Sequence, residues 1–174
     1  MPEPRTIGIG AAILIFAFLG LTFPDIDQPL PLDHRSALTH SIIPAALISL
    51  RRRARPIAAG LALGIGLHLA ADVFPNAMIG YATVKLPFAG GIGPDASYAW
   101  LAANSLGCTA LGVWLARTDL TDILLRRLLL GAVILLGASY LLVTDGGWPA
   151  LAIYAAAGWL TLRLLRRRAA AGSR

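Results

Sequence analysis

The sequence predicts an all-α integral membrane protein of about six transmembrane helices. Both termini face the cytoplasm, and a polar site sits at the outer membrane edge. Three observations predict this. The chain is 57% hydrophobic with a mean hydropathy of +0.70, and only 14% of it is charged, whereas a soluble domain carries about 25% charged residues. Apolar runs recur at helical, membrane-spanning lengths. The basic residues cluster at alternate ends of those runs. The 174 residues form one transmembrane domain, 1–174, with a motif-bearing part at 23–88 and supporting helices over 97–165.

Each run has its own boundaries. Helix one covers 7–23 and stops at Pro24. Arg5 and the following apolar stretch resemble a secretory leader, but no clear small-x-small cleavage site follows, so the run reads as a retained span. Helix two covers 36–50 and is short. Helix three covers 57–74, with Pro56 in its first turn and Pro75 after its end, positions that proline suits. Helices four, five and six cover 97–116, 123–143 and 149–165, followed by an Arg- and Ala-rich tail. There is no internal repeat. Cys108 is the only cysteine, which excludes an internal disulfide and a Cys-based metal knuckle and leaves a small apolar-run residue.

Charge sets the orientation. With both termini inside, 13 of the 15 basic residues fall on the cytoplasmic side, including Arg5, Arg51–Arg53, Arg55, Arg117, Arg126, Arg127 and Arg174. Only Arg35 and Lys85 lie outside. The net charge of +6 therefore reflects membrane topology, and without a basic stripe on a soluble face it excludes a nucleic-acid partner. Asp25, Asp27, Asp33, Asp72, Asp95 and Asp145 lie outside.

Three polar motifs meet at that outer edge: FPDIDQ after helix one, DHRSALTHS at the start of helix two, and HLAADVFP at the end of helix three. They hold all three histidines, His34, His40 and His68. His68 and Asp72 share a helix face one turn apart, a workable spacing for two ligands of one metal. Asp25 and Asp27 flank one residue and point the same way in an extended segment, and paired carboxylates suit a hard or borderline cation. Pro44 lacks the N–H that would satisfy the His40 carbonyl, which predicts a kink and a free polar atom there. Asp25, Asp27, His34, His40, His68 and Asp72 are the candidate metal ligands. They suffice for one divalent ion with a carboxylate surround, or for two: zinc first, with manganese or magnesium as alternatives. Ser36, Thr39, Ser41, Lys85 and Asp95 are candidates to support those ligands or touch a substrate. Arg35 either clamps a phosphate or carboxylate, or pairs with Asp33 or a lipid headgroup.

Pro24-Asp25-x-Asp27, the run from His34-Arg35 to His40-Ser41, and His68-x-x-x-Asp72 resemble the YdjM-like family of membrane-bound, metal-dependent hydrolases of bacteria and archaea. The order of the motifs and GYATVKLPF after the third add to the resemblance, which covers roughly 23–88. Two features depart from it: Ser36 stands where glycine is expected, and no threonine follows Asp72. The resemblance implies a metal-dependent hydrolase, and the placement of charge turns its site to the periplasm or outside of a cytoplasmic membrane. Metal-activated water would attack a lipid or lipid-linked substrate, a phosphoester first and a lipid amide as the chemical variant. Asp27 or Asp72 would take the proton, and Arg35, with Lys85, would hold the phosphate. Two other readings compete. One is a divalent-cation or proton transporter, disfavoured because helices five and six have almost no polar residue in 128–143 and 150–160. The other is a non-catalytic membrane protein whose metal ties three helices together. The glycine-rich stretch 88–100 is a candidate lid, and the oligomeric state is left open.

Overall fold

The computed structural model describes residues 3–30 and 32–171; Arg174, counted above with the inside charges, lies outside them. Among the described residues six α-helices carry the fold: α1 (Pro4–Gly20), α2 (Ile43–Ser49), α3 (Arg55–Asp72), α4 (Pro94–Asp119), α5 (Ile123–Val143) and α6 (Gly147–Ala171). A two-stranded antiparallel hairpin, β1 (Lys85–Leu86) and β2 (Gly90–Gly91), lies between α3 and α4. Among the described residues, four helical stretches are long and apolar enough to cross a membrane: Arg52–Asp72, Pro94–Asp119, Ile123–Val143 and Gly147–Arg168. The 17-residue α1 is a shorter apolar helix. Leu128, Leu135, Trp148 and Trp159 face outward on α5 and α6, each more than 60% exposed, as lipid-facing side chains would be.

α3 is the central post. Its residues from Ala58 to Gly66 are all buried, against α1 on one side and α4 on the other. Glycines set the approach to α1. A Cβ on Gly60 would strike the Ile13 carbonyl, and one on Gly64 would strike the Ala17 carbonyl and Gly20. This is the close small-residue packing that holds helices together in lipid, where no hydrophobic force drives association. α4 is tied to α3 by Ser105 Oγ, which donates to the Gly66 carbonyl over 2.8 Å.

These contacts fix the directions. Ile13 lies beside Gly60 and Gly20 beside Gly64, so α1 runs parallel to α3. Gly112 lies beside Ala59 and Gly66 beside Ser105, so α4 runs antiparallel to it. Gly10 touches Leu125 and Leu67 touches Gly137, so α5 runs with α1 and α3. Gly146, just before α6, sits against Phe74 and Ala71. Asp25, Asp72, Trp100 and Tyr140 therefore gather at one end of the bundle, and Arg55, Arg117, Arg126 and Arg127 at the other. From Arg55 to Asp72 that is roughly 26 Å of helix.

The second predicted span differs from expectation. Only Ile43–Ser49 is helical, and 34–42 is a series of turns. Seven residues make a helix of only about 10 Å. The reason is local. Asp33 and Arg35 sit at φ 61° and 59°, left-handed values that stop a helix from starting. Ser36 N–H and Ala37 N–H are drawn away to Asp27 Oδ2 (2.8 Å) and the Lys85 carbonyl (2.8 Å). Pro44 then sits in the first turn of α2, where its missing N–H costs nothing. Irregular backbone at membrane depth survives only when protein covers it, and Arg35–Ala37 and Thr39–Ser41 are all buried.

Candidate metal centre

α4 supplies the cover for this irregular segment. Trp100 Nε1–H donates to the His40 carbonyl over 2.9 Å. One turn along, Asn104 Oδ1 accepts from Ile42 N–H over 2.9 Å. The carbonyl expected to be left free by Pro44 is thus satisfied from another helix. The hairpin supplies the other edge: Lys85 N–H donates to the Arg35 carbonyl at 3.0 Å.

Within this frame His40 is fully buried. Its Nδ1 lies 3.1 Å from Asp27 Oδ2, and a carboxylate only accepts. The ring hydrogen therefore sits on Nδ1, and the Nε2 lone pair points the other way, 3.4 Å from Asp72 Oδ2. His68 repeats the arrangement. Its Nδ1 donates to the Leu21 carbonyl over 2.8 Å, with the Tyr140 hydroxyl at 3.1 Å. Its Nε2 faces Asp72 Oδ2 at 3.5 Å and Asp25 Oδ1 at 3.9 Å. His40 Nε2, His68 Nε2 and Asp72 Oδ2 are buried and have no hydrogen-bond partner.

Three such atoms turned on one another, two bearing lone pairs and one negative charge, repel unless a metal ion joins them or a proton on an imidazole is donated to the carboxylate. Asp25, His40 and His68 could hold a metal ion: their ligand atoms lie within 4.8 Å of one another. Asp72 Oδ2 lies against both imidazoles. Ligands of a tetrahedral zinc at 2.0–2.2 Å stand about 3.3–3.6 Å apart, and the two His–Asp72 distances of 3.4 and 3.5 Å match that spacing.

The two aspartates after α1 do not point the same way. Pro24–Asp27 is a 3-10 turn rather than an extended strand, and at three residues per turn, positions two apart diverge. Asp25 reaches toward His68 from the rim, 39% exposed and also accepting from Gln28. Asp27 is sealed behind His40, its Oδ2 shared by Ser36 N–H, Thr39 Oγ1 (3.0 Å) and His40. Burial pushes the Asp27 carboxyl up, but the hydrogen bonds from His40 and Ser36 outweigh it and hold it below the usual carboxylate range.

Arg35 pairs with Asp72, not Asp33. Its Nη2 lies 2.9 Å from Asp72 Oδ1, and its Nη1 donates to the Ala82 carbonyl. At 7% exposure it is part of the site's wall. His34 is not brought into the ligand group. Its ring stacks on Tyr81 at 4.2 Å and stands edge-on to His40 at 6.1 Å, and burial lowers its basicity against the pull of Asp27. Lys85 donates to the Tyr81 carbonyl, its charge 5.4 Å from the Tyr81 ring centre, and burial pushes its ammonium down. Ser41 Oγ closes a local turn on the Leu38 carbonyl. Asp95 is exposed in the first turn of α4, with no side-chain hydrogen bond or ion pair among the described residues. The predicted lid divides: Phe88 tips the hairpin, fully exposed at φ 64°, and Pro94–Trp100 belongs to α4.

Sequence reasoning missed Tyr140, Trp100 and Asn104. The signal for Tyr140 was a hydroxyl in a run read as almost free of polar groups. Asn104 was a lone amide in an apolar helix. No family model matches the chain, and neither does any curated protein or solved structure. The YdjM-like resemblance therefore rests on the motif residues alone.

Proposed function

We propose that this protein is a membrane-embedded, metal-dependent hydrolase acting on a lipid or lipid-linked substrate, a phosphoester first. One observation carries the reading: two buried, unpartnered imidazole Nε2 atoms each stand 3.4–3.5 Å from one buried carboxylate oxygen, the spacing of ligands around one small cation. A divalent ion, zinc by this mixed nitrogen and oxygen donor set, would be held by His40, His68 and Asp72, with Asp25 on the open side. Such an ion supplies Lewis acidity toward water and toward the scissile group.

The chain's own residues do the rest. Asp27 and the Leu21 carbonyl hold the two imidazoles in the tautomer that leaves Nε2 free. Arg35 fixes Asp72 by its other oxygen. Asp25 is the carboxylate open enough to accept a proton from a water molecule at the rim, because Asp27 is sealed and Asp72 is engaged on both oxygens. The substrate class follows from position. The site lies at one end of an apolar bundle, beside a hairpin whose Phe88 is fully exposed and with Tyr81 and Ile79 each 68% exposed, side chains suited to a lipid interface. With the basic clusters at the opposite end, the site faces the outside of a cytoplasmic membrane.

The test is metal analysis of the purified protein beside His40→Ala and His68→Ala, followed by hydrolysis assays on lipid phosphoesters and N-acyl lipids. One bound divalent ion lost in both variants, with metal-dependent release of phosphate or alcohol, supports the reading. Equal metal content in all three proteins ends it. Hydrolysis of the amides alone assigns the lipid-amidase variant.

A further inference from the structure

Along α5, from Ile123 to Leu141, a crevice of about 810 Å³ opens between α3, α4, α5 and α6. That is within the roughly 300–1,000 Å³ range of ligand sites. Its walls are apolar: Leu67, Val113, Val133 and Gly158 come one from each helix. At one end the wall changes character, and Arg117, Arg126 and Arg127 all border the opening. None of the three forms an ion pair among the described residues. Arg126 donates only to the Thr121 carbonyl, over 3.2 Å, and its Nε is buried without a partner. Toward the other end Thr109 and Tyr154 meet at 3.4 Å.

We infer that this crevice is a binding site for an anionic phospholipid, with the phosphate held by Arg117, Arg126 and Arg127 and an acyl chain lying along the apolar walls. The argument is one of complementarity. An apolar slot in a membrane protein is filled by hydrocarbon, and neutral lipid would suffice for that. Three arginines without acidic partners at its mouth select a headgroup that is negative and rich in acceptors, because planar guanidinium groups match phosphate oxygens. Basic pockets between transmembrane helices on the positive side hold anionic headgroups for this reason. The arginine mouth is separate from the metal centre: Arg127 and Tyr140 lie 13 residues apart on α5, about 20 Å along the helix. Its occupant braces α5 and α6, the least buried of the long apolar helices, against α3 and α4.

The experiment uses the full chain in detergent, with phosphatidylglycerol or phosphatidylcholine of identical acyl chains added, and counts retained lipid by native mass spectrometry. Phosphatidylglycerol is expected to bind more tightly than phosphatidylcholine. Arg126→Gln with Arg127→Gln should weaken it roughly fivefold for each charge removed. Gly158→Phe tests the slot, since nothing lies within 4 Å of a Cβ placed there; it fills the crevice without touching the arginines and should exclude both lipids. Unchanged metal content in each variant reports that the bundle is intact. Equal retention of the two lipids overturns the inference, as does phosphatidylglycerol binding indifferent to the paired arginine change. A lipid-free dimer that dissociates in Gly158→Phe also overturns it, by assigning the crevice to a second copy of the chain. Should Gly158→Phe fail to fold, the arginine pair still decides.

Discussion

Asp27 accepts a hydrogen bond from His40 across 3.1 Å, and that bond decides which nitrogen of the ring faces Asp72. A neutral imidazole has one donor and one acceptor nitrogen. By occupying the donor, Asp27 turns the acceptor into the site. Replacing a carboxylate that orients a metal-bound histidine costs typically 10–100-fold in metal affinity. Asp27→Asn is expected to bind zinc more weakly by about that factor, with helical content unchanged by circular dichroism. Wild-type affinity in this variant would remove Asp27 from the site.

His68 has two partners on its Nδ1 where His40 depends chiefly on Asp27. Tyr140→Phe removes the hydroxyl at 3.1 Å and leaves the Leu21 carbonyl at 2.8 Å. The ring keeps its tautomer, so metal affinity should fall by less than in Asp27→Asn. A larger loss in Tyr140→Phe, measured by competition with a chelating dye, would mean that the hydroxyl and not the carbonyl orients His68.

Arg35 and Asp72 form an ion pair with side-chain exposures of 8% and 19%. Removing one partner of a buried pair costs about 3–5 kcal/mol, because the other charge is left uncompensated. Arg35→Ala should therefore lower the thermal midpoint markedly. Added zinc should restore part of the loss, since a bound cation also neutralises Asp72. A variant as stable as wild type would show that Asp72 finds another partner.

The α1–α3 contact depends on the absence of side chains. Gly64→Val would push a branched side chain into the Ala17 carbonyl and Gly20, and overpacking of this kind costs about 1–3 kcal/mol. The shift also draws Leu21 away from His68. Loss of stability together with loss of metal binding is the expected result, and Gly8→Val, where nothing lies within 4 Å, is the matched control that changes neither.

Metal uptake should weaken on acidification, because imidazoles and carboxylates must shed their protons to bind. Titrating zinc from about pH 8 to about pH 5, across the range in which histidine ordinarily gains its proton, should release the ion steeply if two histidines ligate it. A flat profile would point to carboxylates alone.

Much of the bundle was legible because long apolar helices follow simple patterns. Apolar length located α3 to α6, and proline marked both ends of α3. The His68–Asp72 pair was legible for the same reason, since helical spacing puts both on one face. The segment 33–42 was not. Its conformation comes from Asp27, Lys85, Trp100 and Asn104, which approach from three other parts of the chain, and no local propensity records them. Asp25 and Asp27 were misread for a related reason: Pro24 opens a 3-10 turn where an extended segment was expected. Arg35 had an obvious neighbour in Asp33, but the left-handed backbone at both residues points them apart and delivers the guanidinium to α3.

The borrowed cover over 33–42 sets an order for biogenesis. A nascent chain that has only its first fifty residues holds a stretch in which the Ile42 N–H and the His40 carbonyl lack their partners, and bare polar groups are costly in hydrocarbon. Trp100 and Asn104 reach the ribosome exit some sixty residues after His40 and Ile42. Until α4 arrives, the stretch must wait in water or beside a chaperone. The imidazole-lined nest is therefore complete only once α4 has docked.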